Sequence, residues 1–444
     1  MSAPGSVSRA QPPVRVAVVG LGWAGKSIWL PRLHAHPAFT VSAVVDPDPV
    51  ACANAVQSLT ETHLLSSVDE LTSRHADLAI VAVPNHLHAD IACRLLANGI
   101  PVFVEKPVCL DSDEARRLMV AESAGGAVLL AGSAARHRAD VLALRDLVRG
   151  LGRIRHVELS WVRSRGIPDA GGWFTRRSLS GGGALVDLGW HLLDTVAPLL
   201  GEVGFEQALA TVSDDFVRSA AARAAWRDGA VGAGAAGAEA GAAGGPAGGP
   251  AGGPAGGPAD GQVDGDVEDT VRGFIVADGG VSVSLRAGWA SHEPRDVTLI
   301  RVDGSAGTAT LRCTFGFSPN RVDSELTLTR DGEVSAVPFP QEPVGAEYMR
   351  QLDGIPALLA DPASRGRAAA ETLRTIQVIE RLYDSARAAR TTGSAGSLSA
   401  DAVGSAGTVG AVDTVGSADA AGAGDTAGPR NRTGGQATPA PTLA

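Results

Sequence analysis

A β-branched run from Val14 to Val19 passes directly into Gly20-Leu21-Gly22-Trp23-Ala24-Gly25. A strand ending on G-x-G-x-x-G has few continuations. The first glycine makes a tight turn, the second lets the backbone approach a ligand phosphate, and the third lets the next helix lie close to the strand. The helix N-terminus then offers free amides and the positive end of its dipole to an anion. Asp46 ends the next β-branched run, 21 residues past Gly25. A carboxylate there accepts hydrogen bonds from an adenosine ribose and repels a 2′-phosphate, which favours NAD over NADP. The expected cofactor contacts are therefore Gly20, Gly22, Trp23, Ala24, Gly25 and Asp46. The same stretch also fits a nucleoside-triphosphate loop, with Gly20, four residues, then Gly25-Lys26-Ser27. That alternative needs a later strand ending in a magnesium-holding Asp, whereas the run Leu78 to Val83 continues into Pro84 and Asn85.

Further short β-branched runs at 41–45, 78–83, 102–104 and 128–130 alternate with amphipathic stretches at 87–97 and 112–123. Strands separated by helices mean βαβ units and a parallel sheet covered on both faces, a doubly wound Rossmann domain over 14–135. Beyond it the period changes to two, at 157–162, 208–213, 271–277, 281–287 and 297–302, with a hairpin across Asp278 and Gly279. Helices are expected from about 183 to 200 and from about 367 to 387. The class is α/β, with a second, α+β domain over 136–390 built on an open, mainly antiparallel sheet. Gly, Ala and Pro accumulate within 228–265 and 391–444 without an apolar period, so an insert, a tail and an arm over 1–13 are expected to be disordered.

The formal net charge of −10 and the lack of basic clusters interleaved with aromatics argue against nucleic acid as the partner and for a small ligand. Cys52, Cys93, Cys109 and Cys313 show no C-x-x-C spacing, and no apolar run is long enough to span a bilayer. A cytoplasmic protein with reduced thiols and no membrane partner is expected. Only Lys26 and Lys106 are lysine, against 36 arginines. Lysine is a compact charge that can lose its proton, so in a chain this poor in lysine the two positions are candidates for chemistry.

Lys106 stands in Val104-Glu105-Lys106-Pro107, at the end of the run 102–104. That motif follows Pro84-Asn85-His86-Leu87-His88 and precedes Gly181-Gly182-Gly183-Ala184-Leu185-Val186-Asp187-Leu188-Gly189-Trp190-His191. The three together resemble the glucose-fructose oxidoreductase, inositol dehydrogenase and rhizopine catabolism family, over residues 14 to about 390 without the insert. The resemblance implies oligomers, a homo-dimer or homo-tetramer, formed through the face of the second sheet. It also implies that Lys106 contacts substrate and nicotinamide, that Asp187 and His191 are the family's Asp-x-x-x-His, and that Pro84, Asn85, His88 and Glu105 line the cofactor side of the pocket.

Oxidising an alcohol leaves a hydroxyl proton that needs a base with a pKa near the working pH, and His191 supplies one. Asp187, four residues earlier on one helical face, can reach the imidazole or a substrate hydroxyl. Lys106 can polarise the oxygen. The three glycines would let a polyol approach the backbone. Arg163, Arg165, Trp173, Arg176 and Arg177 are candidates for recognising a phosphate on the substrate. No third ligand accompanies Asp187 and His191, so no metal is expected. The expected enzyme moves a hydride between nicotinamide and a sugar, nucleotide sugar or cyclitol. The stretches 20–33 and 173–194 look like members that act on sugar rings in antibiotic assembly, with C3 of a nucleotide-linked glucose as the specific expectation. The alternatives are an NAD-retaining glycosidase or sugar–sugar oxidoreductase, and a non-catalytic sensor.

Overall fold

In the computed structural model, residues 12–55, 61–168, 172–201, 204–219 and 265–396 are described. Nearly all of the arm, the insert and the tail expected from composition lie outside them. Strand β1 (Val14–Val19) leads through a π-helical turn (Ala24–Trp29) into α1 (Leu30–Ala35), then β2 (Phe39–Val45) and β3 (His63–Leu65). β4 (Leu78–Val81), α3 (His88–Ala97), β5 (Val102–Val104), α4 (Ser112–Gly125) and β6 (Leu129–Ala131) follow, α2 (Pro49–Ala55) lying between β2 and β3. The sheet order is β3-β2-β1-β4-β5-β6 and every pair is parallel. Strand β3 was not expected, because it is a largely exposed edge strand without a β-branched residue.

Alternation along these strands divides the core. Val16, Val18, Val44, Leu78, Ile80 and Phe103 face one side, and Ala17, Val19, Ala43, Val45, Ala79 and Val81 face the other. Burying each of the larger aliphatic side chains contributes about 1.5–3 kcal/mol. The first side is closed by Trp29 and Leu33 and by Leu352 and Ile355 of α9 (Ala346–Ala360). A late segment thus completes the first domain, tied there by His36 to Asp353 at 3.0 Å and by Gln351 donating to the Ala131 carbonyl.

The second sheet is reached through α5 (Ala139–Val148), β7 (Ile154–Val162), α6 (Arg177–Ser180), α7 (Trp190–Leu200), β8 (Phe205–Ser213) and α8 (Asp215–Ser219). It continues with β9 (Thr270–Ala277), β10 (Val281–Gly288), β11 (Val297–Gly304), β12 (Gly307–Cys313), β13 (Glu325–Arg330) and β14 (Glu333–Ala336). Its order is β14-β13-β12-β11-β7-β10-β9-β8, with β7 and β10 parallel and every other pair antiparallel. The hairpin falls where expected, with Gly279 and Gly280 both at φ +80°. Strands β12 to β14 were not anticipated.

Odd-numbered residues of β9 (Val271, Ile275, Ala277) are buried, while Phe274 and its cross-strand partner Leu209 are exposed on the opposite, open face. Helix α10 (Arg367–Gly396) packs with Leu382 against the Gly273 position, on the buried face. It runs past residue 390, where disorder was expected, because the alanine-rich segment 386–389 favours helix even without an apolar period. Among the described residues no helix is long and apolar enough to cross a membrane.

Candidate active site

The glycine loop is shaped by contacts that only glycine allows. Gly20 has φ +92°, and a Cβ there would lie 2.6 Å from the Ala82 carbonyl oxygen; at Gly25 it would lie 2.1 Å from that of Gly20. A Cβ on Gly22 would meet no atom of the described residues within 4 Å. The first and third glycines are thus fixed by packing, and the second opens the space a pyrophosphate requires. Asp46 sits at the end of β2 and accepts from the amides of Leu21 at 2.8 Å and Asp48 at 2.9 Å. Each of its oxygens keeps a further lone pair for a ribose hydroxyl. Trp23 is exposed and meets Phe317 edge-on at 5.7 Å, beside Ala24 at the start of the π-helical turn. These residues fit a dinucleotide.

Residues expected on the nicotinamide side divide into those that face the site and those that brace it. Glu105 accepts from the Trp29 indole at 2.8 Å and from the Lys106 amide at 3.0 Å, so it joins the end of β5 to the helix that follows the glycine loop. Burial raises its pKa, and Lys106 opposes the rise. His88 is buried, with its ring nitrogens 2.7 Å from the Pro107 carbonyl and 2.8 Å from that of Val83. It sits between the loop containing Pro84 and the segment after Lys106, with both nitrogens against carbonyl oxygens of the chain and the single N–H of the neutral ring able to donate to one of them. Asn85 donates to the Ser180 carbonyl at the end of α6.

Lys106 reaches across to the second domain, where its Nζ donates to Asp187 Oδ1 at 2.6 Å. Asp187 Oδ2 accepts from the indole of Trp289, fully buried just past β10, at 2.9 Å, and lies 3.7 Å from Arg163. Burial disfavours the Asp187 carboxylate, but Lys106 and Arg163 outweigh it and hold the group well below the usual carboxylate range. His191 is half-buried, tilted against Trp161 at 5.4 Å, and makes no hydrogen bond to any described residue. Burial, followed by the charge of Lys106, pushes its imidazole down to about 3, against the pull of Asp187. The expectation of a base with a pKa near the working pH is corrected: burial makes His191 a neutral ring at physiological pH, unbonded to any described residue.

Of the two partners expected for Asp187, the imidazole is not hydrogen-bonded to it among the described residues; its oxygens serve Lys106, Trp289 and Arg163. The expectation for the three glycines is also corrected. Gly181 is left-handed at φ +83°, a Cβ on Gly182 would lie 2.0 Å from the Tyr383 hydroxyl, and one on Gly183 would lie 1.8 Å from the Glu268 carbonyl oxygen. Packing against protein, not approach of a polyol, requires them. Of the substrate candidates, Arg163 joins the cluster and lies over the Trp161 ring at 5.1 Å. Among the described residues no hydrogen bond or ring contact links Trp173 or Arg176 to it; Trp173 packs on Phe174, Arg176 is exposed, and Arg177 lies over Tyr383. Trp289, Glu268 and Tyr383 were missed, being 81 or more residues from Asp187 and inside no motif.

A dinucleotide-binding domain joined to an open sheet, with a lysine, a carboxylate and a neutral histidine converging between them, defines a nicotinamide-dependent oxidoreductase. Two models match the chain: an oxidoreductase family with an NAD-binding Rossmann fold at residues 14–133, and the GFO/IDH/MocA C-terminal domain at 141–310. The chain belongs to the Gfo/Idh/MocA oxidoreductase family. It is 54% identical over 378 residues, 85% of this chain and 97% of the other, to the "Putative UDP-kanosamine synthase oxidoreductase subunit" of Amycolatopsis mediterranei strain S699. It is 29% identical over 198 residues, 43% of this chain and 54% of the other, to the D-glucoside 3-dehydrogenase of Escherichia coli K12. Among solved structures, GenD2 from gentamicin A biosynthesis, in complex with NAD, matches with a TM-score of 0.64 and 22% identity, covering 88% of this chain and 98% of that one.

Proposed function

We propose that the protein transfers a hydride between nicotinamide, as NAD in preference to NADP, and a hydroxyl or keto carbon of a nucleotide sugar, at C3 of a nucleotide-linked glucose used in antibiotic aminosugar assembly. The observation that carries the reading is the 2.6 Å Lys106–Asp187 pair beside an unbonded, neutral His191. The name of the Amycolatopsis relative supports the position, since kanosamine is a glucose bearing its amino group at C3, and the name of the Escherichia coli relative also specifies position 3.

Bound nicotinamide supplies the carbon that takes up or gives back the hydride. The chain's own residues manage the oxygen and its proton. Lys106 places a positive charge where the substrate oxygen becomes negative, and the part-buried setting makes that charge count for more than it would in water. Asp187 holds the ammonium in place through the 2.6 Å contact. His191 accepts the hydroxyl proton during oxidation and returns it during reduction. A weakly basic imidazole suffices, because the hydroxyl grows steadily more acidic as its carbon turns into a carbonyl. Asp46 favours NAD through ribose hydrogen bonds. The open face of the second sheet, with Leu209 63% and Phe274 44% exposed, is the surface on which a homo-oligomer would form.

The test is turnover of UDP-glucose, other nucleotide sugars, cyclitols and free sugars with NAD and NADP. Reduction of NAD by a nucleotide glucose supports the reading. Turnover without net consumption of added cofactor would favour an internal redox relay, and binding without turnover a sensor.

A further inference from the structure

The turn bearing Asp187 begins without a local cap. Its first amides follow three glycines, and Ala184, at the position before the π-helical stretch Leu185–Gly189, has no side chain that could accept from them. Free amides at a buried helix start are costly unless they find partners. Here one distant residue takes three in succession. The Glu268 carbonyl accepts from the Ala184 amide at 3.0 Å, and its carboxyl oxygen Oε1 accepts from Gly183 at 3.1 Å and Leu185 at 3.0 Å. The same oxygen accepts from the Tyr383 hydroxyl of α10 at 2.8 Å, while Oε2 is buried without a partner among the described residues. The next residue, Asp269, accepts from the Trp289 amide at 2.8 Å, and the Trp289 indole holds Asp187. Segment 268–269 therefore supports Asp187 from two directions, through the turn that carries it and through the tryptophan that binds it.

We propose that Glu268, held by Tyr383, is a positioning residue for the reaction, setting the turn that presents Asp187 and His191 to the substrate. This rests on the roles proposed above for Lys106, Asp187 and His191. The carboxyl does not touch that cluster, and its effect passes through the backbone at 183–185. Gly182 and Gly183 are consequences of the arrangement, since a side chain at either would displace the Tyr383 hydroxyl or the Glu268 backbone.

Glu268→Ala, Glu268→Gln and Tyr383→Phe are compared with the wild type in two assays. In NAD-dependent turnover of UDP-glucose, Glu268→Ala is expected to lower kcat by ~100-fold, the scale of a displacement of about 1 Å, with NADH affinity changed by less than ~3-fold. Glu268→Gln keeps an acceptor oxygen at the helix start and is expected to regain kcat to within ~5-fold, and Tyr383→Phe to lose ~3- to 10-fold. In histidine-labelled NMR, needing no substrate, the His191 signal, identified by its loss in His191→Ala, is expected to stay neutral across about pH 5–8 in the wild type and in Glu268→Gln. In Glu268→Ala it is expected to titrate closer to the ordinary range. An unchanged His191 titration in Glu268→Ala overturns the proposal, as does a Gln variant as impaired as the Ala variant, or a parallel loss of NADH binding. The underlying reading fails separately, if Lys106→Ala and His191→Ala turn over UDP-glucose like the wild type.

Discussion

Replacing Asp187 with asparagine isolates the charge at the centre of the site. The substitution is nearly isosteric and leaves an acceptor oxygen for Trp289. It removes the negative charge facing Lys106 at 2.6 Å and Arg163 at 3.7 Å, in a group whose side chains are only 11–19% exposed. Taking one partner from a buried ion pair costs about 3–5 kcal/mol, because the remaining charge loses its compensation. The residual exposure places this case near the lower end, at ~3 kcal/mol. The sign of the pH dependence follows from the lowered pKa of Asp187. A depressed carboxyl contributes stability that is fully present above its unfolded pKa of about 3.9 and is lost as pH falls towards the folded value. Urea midpoints of wild type and Asp187→Asn should therefore differ by a constant amount from about pH 5 to 8 and converge only below about pH 4. Activity should fall by ~100-fold, since Lys106 loses its orienting partner. A stability difference under ~0.5 kcal/mol, or one that shrinks between about pH 5 and 8, would refute the reasoning.

Gly22→Ala should leave thermal stability nearly unchanged and weaken NADH binding by ~10-fold, because a methyl there meets only the ligand's space, whereas Gly20→Ala should destabilise by several kcal/mol, roughly, through its left-handed φ and the Ala82 carbonyl; calorimetry and fluorescence titration separate the two. Asp46→Ala should lower NADH affinity by ~10-fold and NADPH affinity by less, reversing or narrowing their ratio in the same titration. The acid limb of kcat/KM should lie well below the ordinary histidine pKa, because His191 is pushed down to about 3; an inflection near pH 6.5 that disappears in His191→Asn would contradict the environment described for it.

The parts of this site that are written locally could be read from the chain. The glycine loop and Asp46 are fixed by one βαβ unit, and Lys106 stands at a strand end in a chain with one other lysine. Arg163 could be named as a candidate but not given its partner. The parts set by tertiary contact could not be read. Trp289 reaches Asp187 from 102 residues away, and Glu268 caps a turn 83 to 85 residues earlier, so neither leaves a local pattern. The glycines at 181–183 were visible, but their reason was hidden in Tyr383 and Glu268. His88 looked like a cofactor contact because its motif lies beside the pocket; only the positions of two carbonyls show that both ring nitrogens face the chain itself. Strands β12 to β14 escaped notice for a different reason. β14 is an exposed edge strand without a buried face, whereas β12 and β13 alternate, with Ala309, Leu311, Cys313 and Leu326 buried, and their short period-two pattern was overlooked.

The most direct measurement is incubation of the protein with NAD and UDP-glucose deuterated at C3, followed by mass spectrometry of the nicotinamide product and the sugar. Deuterium on the reduced nicotinamide, together with a 3-keto sugar, is the predicted result. NAD left unreduced, or reduced without acquiring the label, would contradict the account.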